Sequence, residues 1–188
     1  MYSKITILEQ KVCEQKQSWR FTAHVACASY SSASTGGKFM ATNLALEGIK
    51  VLDLSRVLAG PWCSQILADF GADVVKVEAP GKGDDTRSWG PPNLPAEPGQ
   101  PEPGHAAYYL ACNRNKRSVS IDLSKPGSPA LIKRLAEKAD IVIENFKVGG
   151  LKKYGLDYDS LKEVNPRMVY CSITGFGQTG PYSHLPGY

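Results

Sequence analysis

Long apolar runs are missing from this sequence. Segments such as Ile141-Val142-Ile143 stop after a few residues, far short of the roughly 20 needed to cross a bilayer, so no transmembrane helix is expected. Cysteine is sparse and carries no pairing pattern. Cys13, Cys27, Cys63, Cys112 and Cys171 are odd in number, widely spaced and form no C-x-x-C, which argues against a disulfide framework and for a reducing compartment. His24, His105 and His184 lie too far apart to supply the converging knuckles of a zinc site, so no metal is expected. A surplus of either charge is also lacking. The net charge of +4 sits mostly in the first 40 residues, with five Lys/Arg against two Glu, and the remainder carries 17 against 16. A nearly neutral body excludes the clustered basic face that nucleic-acid binding requires. No G-x-S-x-G, no P-loop lysine and no H-E-x-x-H occurs, which sets aside the common hydrolase, nucleotide-triphosphatase and zinc-protease signatures.

What is present, 188 residues with 42% apolar and 21% charged, is the material of one ordinary globular domain or part of a larger one. Residues 1–43 read as a leader. From Gln15 to Leu46 there is no Asp or Glu, and Ala26 to Thr35 is rich in Ser, Ala and Thr, the composition of a matrix-targeting presequence. That makes a mitochondrial location the expectation, with cytosol and peroxisome as alternatives. Between Gly81 and Gly104 six prolines, at 91, 92, 95, 98, 101 and 103, forbid a helix or central strand and predict a long surface excursion.

Residues 44–188 alternate strand and helix. Ile49 to Leu54 reads as a buried strand. A helix then opens near Pro61, carries Trp62, Ile66, Leu67 and Phe70 on one face, and stops at Gly71. Asp73 to Glu78, Ser118 to Leu123, Asp140 to Asn145 and Met168 to Thr174 supply four more strands. Helices are expected from Ser128-Pro129 to Ala139, around Leu151 to Tyr154, and over Ser160 to Val164. Such β-α-β spacing predicts an open, largely parallel, Rossmann-like α/β sheet that binds ligands at the carboxyl ends of its strands.

The loop after each strand therefore matters most. Past the first lies Arg56-Val57-Leu58-Ala59-Gly60-Pro61, either a cradle for phosphate or thioester oxygens at a helix N-terminus or a plain tight turn. After the second, Asp84 and Asp85 read as a solvated pair, as partners of Arg87, or as metal ligands. Gly175-Phe176-Gly177-Gln178-Thr179-Gly180 satisfies G-x-G-x-x-G, yet Pro181 arrives at once and no helix can carry a pyrophosphate. A nicotinamide or flavin site is rejected, and a glycine-rich wall over a substrate pocket fits better. Arg114, Lys116 and Arg117 place three cations in four residues, which suits a polyphosphate ligand or a solvated strand entrance equally.

Taken together, Gly48 to Leu54, Leu58-Ala59-Gly60-Pro61, Gly71 to Glu78, Asn113 to Ser118, Glu144-Asn145-Phe146 and Ser172 to Pro181 resemble the N-terminal part of the class III CoA-transferases. That group includes formyl-CoA transferase, carnitine CoA-transferase and alpha-methylacyl-CoA racemase. Within it, Asp84 to Pro92 and Cys171 to Gly175 look most like the mitochondrial members that use succinyl-CoA and glutarate. The resemblance implies the N-terminal half of the family's large domain, acyl-CoA and dicarboxylate substrates, CoA as substrate with no tightly bound cofactor, and an interlocked homodimer of the full-length protein. It also implies an aspartate that attacks the thioester, in a segment beyond Tyr188, so that no catalytic residue lies in this stretch.

By the same resemblance Leu58 and Ala59 face the CoA, and Ala79 stands where formyl-CoA enzymes have an arginine. Asp122 and Leu123 end the third strand, Asn145 and Phe146 the fourth. Lys153 faces the phosphates, and Gly187 and Tyr188 approach the active site. Racemases carry a histidine where this chain has Tyr188, which favours transfer over epimerisation, since tyrosine is a poor base at neutral pH. A non-catalytic remnant that binds CoA or a partner stands as the other reading of a chain that stops in a loop, one expected to leave part of its sheet uncovered and to associate.

Overall fold

The structure, a computed structural model, describes residues 44–95 and 104–187 and the short strand Lys4–Ile5. The rest of the leader, the prolines at 98, 101 and 103, and Tyr188 lie outside the described residues. Strands β1 (Lys4–Ile5), β2 (Lys50–Asp53), β3 (Asp73–Glu78), β4 (Lys116–Ser120), β5 (Ile141–Glu144) and β6 (Val169–Ser172) form one sheet in the order β1-β4-β3-β2-β5-β6. Every pairing is parallel. Among the described residues four helices accompany them: α1 (Ala59–Asp69), α2 (Ala107–Asn113), α3 (Ser128–Ala136) and α4 (Tyr158–Val164). The open parallel α/β sheet expected from the sequence is present. Its chain order runs outward from β2 on one side to β3 and β4, then returns to β5 and β6 on the other. A crevice therefore opens between the carboxyl ends of β2 and β5, the topological switch point where such sheets take ligands.

Local details depart from the sequence reading. The third of the predicted strands runs Lys116–Ser120 rather than Ser118 to Leu123. Helix α2 was not expected. Its seven residues are squeezed between the proline-rich segment and the basic run, too short for a periodic signal. Gly127, in the left-handed conformation, sits at the N-cap of α3 in place of Ser128. The stretch Leu151 to Tyr154 is a short 3-10 turn over Lys152–Tyr154 that ends on Gly155 at φ 62°.

The two faces of the sheet differ. Alternation along each strand sends Leu52, Leu54, Val75, Val77, Val119 and Val142 to one side, where they pack with Ile132, Leu135 and Leu161 of α3 and α4. On the other side Val51, Val74 and Ile143 meet Ala68 of α1. Asp53, Lys76 and Glu78 are buried with the same parity. The helix above them is turned over relative to expectation. It buries Gly60, Pro61, Ser64, Gln65 and Ala68, while Trp62, Ile66 and Phe70 of the apolar stripe are 50%, 45% and 54% exposed. The reason is chemical: the strand face beneath carries charge, so it takes the small and polar side of the helix.

Candidate functional site

The loop after β2 is bonded group by group. The Ser55 amide donates to Asp53 Oδ1 at 2.9 Å, and the Ser55 carbonyl accepts from Lys76 Nζ at 2.7 Å. Arg56 donates its amide to Asn145 Oδ1 at 2.8 Å and accepts from Asn145 Nδ2 at 2.7 Å. Asn145 lies just past β5, so this reciprocal pair joins the two loops that flank the switch point. Gly60 permits the approach, since a Cβ there would collide with Ser55 and reach Asn145. Leu58 caps α1 without a side-chain hydrogen bond, leaving the first turn with amides that have no intrahelical acceptor.

Beneath the loop lies a buried ionic cluster. Lys76 pairs with Asp84 at 3.0 Å and Lys116 with Asp53 at 3.2 Å, all four side chains nearly or fully buried. Lys116 also donates to the Pro61 carbonyl at 2.7 Å and to Asn113 Oδ1 at 3.0 Å. Burial works to raise the Asp53 pKa, but Lys76, Lys116 and the hydroxyls of Ser55 and Ser64 outweigh it and hold the carboxylate ionised. Glu78 is gripped at the end of β3. Arg87 reaches its two oxygens at 2.6 and 2.7 Å, the Ser118 hydroxyl donates at 2.5 Å, and the Asp84 amide donates at 2.8 Å. Against the upward push of burial these donors bring Glu78 to about 2.

The cluster corrects three expectations. Arg87 pairs with Glu78, not with the aspartates. Asp84 is committed to Lys76, and Asp85 to Arg56 and Lys82, which dissolves the solvated or metal-binding pair. The basic run is spent internally as well. Arg114 binds Asp69, Lys116 binds Asp53 and Arg117 binds Asp73, so these cations are not held out toward an anion. None of the described ion pairs includes Lys147, Lys152 or Lys153, all exposed near the end of β5.

Most of the residues marked by sequence sit just past the carboxyl ends of the strands. Leu58 and Ala59 are exposed at the start of α1, across the switch point from Asn145 and half-buried Phe146. Ala79 is exposed just past β3. Asp122 and Leu123 are half-buried beyond β4, but the Asp122 carboxylate turns onto its own chain. It accepts from the Ser124 amide and hydroxyl at 2.9 and 2.6 Å, which lower its pKa. Lys153 stands apart on the 3-10 turn with its ammonium 4.7 Å from the Tyr154 ring centroid. Gly187 packs backbone to backbone on Gly175 after β6. Past Gly175, Gly177 and Gly180 take φ of 84° and 97°, and no helix comes after them in the described residues.

Two concavities adjoin this rim. One, about 820 Å³, is apolar and lies along Leu58, Trp62, Ile66, Trp89 and Tyr108. The other, about 550 Å³, is bordered by Glu144, Lys147, Lys152, Tyr170, Ser172 and Gln178. Glu144 is buried there, and that burial raises its pKa despite bonds from Ser172 and the Phe146 amide. Sequence reasoning passed over Asp53, Lys76 and Glu144, and met Lys116 only as part of a charge run. The readable signal was a charge inside a run of apolar strand residues, as in Val74-Val75-Lys76-Val77.

Comparison with known proteins agrees with this picture. The family model described as CoA-transferase family III matches residues 46–188. A succinate–glutarate CoA-transferase of Agrobacterium fabrum is 61% identical over 143 residues, 76% of this chain and 35% of that protein. A succinyl-CoA:glutarate CoA-transferase of Homo sapiens is 49% identical over 143 residues, 76% of this chain and 31% of that protein. Among solved structures, a CAIB/BAIF family protein from Brucella suis superposes with a TM-score of 0.72 at 57% identity, covering 78% of this chain and 37% of that one. The chain thus spans about a third of the length of the curated relatives it matches.

Proposed function

The chain belongs to CoA-transferase family III, and on that premise we propose that the whole protein moves CoA from succinyl-CoA to a dicarboxylate such as glutarate. The observation that carries this reading is the joined pair of loops at the switch point. The rim of α1 and the residues after β5 are fixed against each other through Asn145, and both loops lie within residues 46–188 that match the family, whose matched relatives include succinate–glutarate and succinyl-CoA:glutarate CoA-transferases.

In the proposed reaction an aspartate outside this stretch attacks the thioester carbonyl. The C–S bond breaks and CoA leaves as thiolate, giving a mixed anhydride. The thiolate attacks the aspartyl carbonyl, releasing succinate and forming an enzyme-bound thioester. Glutarate displaces CoA from it, and the thiolate then takes the glutaryl group and frees the aspartate. The part assigned to this chain is retention of CoA through these steps. Leu58 and Ala59 offer backbone at the start of α1, Asn145 and Phe146 the facing wall, and Ala79, Asp122 and Leu123 the neighbouring rim. Gly187, against Gly175, and Tyr188 lead toward the reacting group. Lys153, with Lys147 and Lys152, supplies positive charge for phosphates, a role supported by the internal pairing of the Arg114 to Arg117 run.

The proposal extends to an interlocked homodimer, which the exposed apolar side of α1 supports, and to a mitochondrial location resting on the acid-poor residues 15–46. Residues 1–43 are then a leader and 44–188 part of the large domain. The test is chromatography of full-length protein incubated with succinyl-CoA and glutarate. Glutaryl-CoA and succinate formed in equal amounts are expected. Solvent deuterium entering a branched acyl-CoA, with no transfer, would replace this reading by the racemase.

A further inference from the structure

Val57 has φ 69°, the left-handed region. A β-branched residue is strained there, because its Cβ crowds the backbone. Among the described residues the other non-glycine with positive φ is Asn115, a type that tolerates it. Strain at such a position persists only when its surroundings impose it. The surroundings of Val57 are specific. Its amide donates to the Asp84 carboxylate, 3.2 Å from Oδ2 and 3.4 Å from Oδ1.

Asp84 is in turn fixed on every side. Oδ1 accepts from the Thr86 amide at 3.0 Å and the Thr86 hydroxyl at 2.7 Å, Oδ2 pairs with Lys76 at 3.0 Å, and its own amide is held by Glu78. Lys76 also grips the Ser55 carbonyl, two residues before Val57. One buried ion pair from β3 and its succeeding loop thus holds both ends of a turn that belongs to β2. Directly after Val57 come Leu58 and Ala59, where α1 begins without a capping side chain. The direction of those amides depends on the Val57 dihedral.

We infer that Asp84, charge-balanced by Lys76, is a positioning residue that forces Val57 into the left-handed conformation and thereby aims the first amides of α1 at the ligand. The inference takes from the proposed function only the identity of that ligand as CoA. It separates two roles that a buried ion pair can have. A structural pair stabilises the domain as a whole, whereas a positioning pair acts through one dihedral angle and can be bypassed by relieving that angle.

Glycine at 57 reaches positive φ without steric cost, and proline forbids it while removing the amide hydrogen. The full-length protein is compared with Asp84→Asn, Val57→Pro, Val57→Gly and the double variant Asp84→Asn/Val57→Gly. CoA affinity is measured by calorimetry, and hydrogen exchange is followed over residues 54–62. Asp84→Asn is expected to weaken CoA about tenfold, the loss of one charge-assisted bond, and to raise exchange at 57–59. Adding Val57→Gly restores most of the affinity, a rescue that general loosening would not give. Val57→Pro leaves the Asp84–Lys76 pair intact yet loses CoA to at least the same extent, and it carries the test if Asp84→Asn does not fold. A folded Val57→Pro or Asp84→Asn protein with wild-type CoA affinity and exchange overturns the inference. A wild-type protein that does not bind CoA overturns the proposed function and the ligand assigned here, so the two failures are distinguishable.

Discussion

The two faces of this sheet are built from the same strands and serve different ends. Toward α3 and α4, Leu52, Val75, Val119 and Val142 stand in a continuous apolar layer with Ile132 and Leu161. Toward α1, one residue along each strand, Asp53, Lys76, Glu78 and Lys116 take the corresponding places. The apolar face stabilises through area removed from water. The charged face costs desolvation, and what it gains is placement, because its ions end on backbone groups of the loops after β2 and β3.

The largest way to break that comparison is to remove one ion. Lys76→Met leaves Asp84 buried without its cation, and truncating one partner of a buried pair costs about 3–5 kcal/mol. That is a large share of the roughly 5–15 kcal/mol a domain possesses. Urea denaturation should register it, with CoA binding lost in parallel. Next comes Ile132→Ala on the opposite face. It opens a cavity against fully buried neighbours and should cost about 2–4 kcal/mol, while the molecules that stay folded bind CoA as before. Equal loss of binding in both variants would mean that the faces are not functionally distinct.

Acidity sharpens the contrast, since each face carries a buried glutamate and the two are shifted in opposite directions. Glu78 lies at about 2 when folded, below its ordinary 4.5. Its contribution is present above pH 4.5 and is lost as pH falls from there toward 2. Glu144 is raised by burial. Its contribution is complete below the ordinary value and is lost as pH rises through the folded one. Urea midpoints followed from about pH 2 to about pH 8, a range that includes the Glu78 window, should therefore respond in opposite directions. Glu78→Gln flattens the acid limb, and Glu144→Gln flattens the loss on the neutral side. Both substitutions flattening the same limb would contradict the assignment.

How much of this was readable from sequence depends on range. Strands bounded by short loops and helices punctuated by Pro61, Gly71 and Gly155 are local signals, and five strands emerged near their observed bounds. Helix α2 has seven residues and too little periodicity to announce itself. The ion partners are a different matter. Arg114, Lys116 and Arg117 are adjacent, but their carboxylates at 69, 53 and 73 come from elements that only the sheet order brings near. A charge run reveals how much positive potential exists, not where it is spent. Of the candidate site, positions 58 and 59 were legible as a loop after a strand, whereas 145 and 146 came from the resemblance to the family. The support beneath them was visible only as Lys76 and Asp53 within apolar runs.

The smallest expected effect concerns α1, whose periodicity marked the correct stripe and the wrong side. An amphipathic pattern states that a helix has two faces; which one meets the sheet is decided by what the sheet presents, and here it presents ions. Trp62→Gln with Ile66→Gln alters side chains that are half exposed, so the 188-residue chain should change in stability by no more than about 0.5 kcal/mol. The same pair of substitutions should lower its binding of an apolar dye and its tendency to associate, because the groove beside Leu58, Trp89 and Tyr108 loses its apolar wall. A loss above about 1.5 kcal/mol in that chain would place the stripe in the core after all. It would then restore the ordinary amphipathic reading and make the charged face a two-sided core with ions embedded in it.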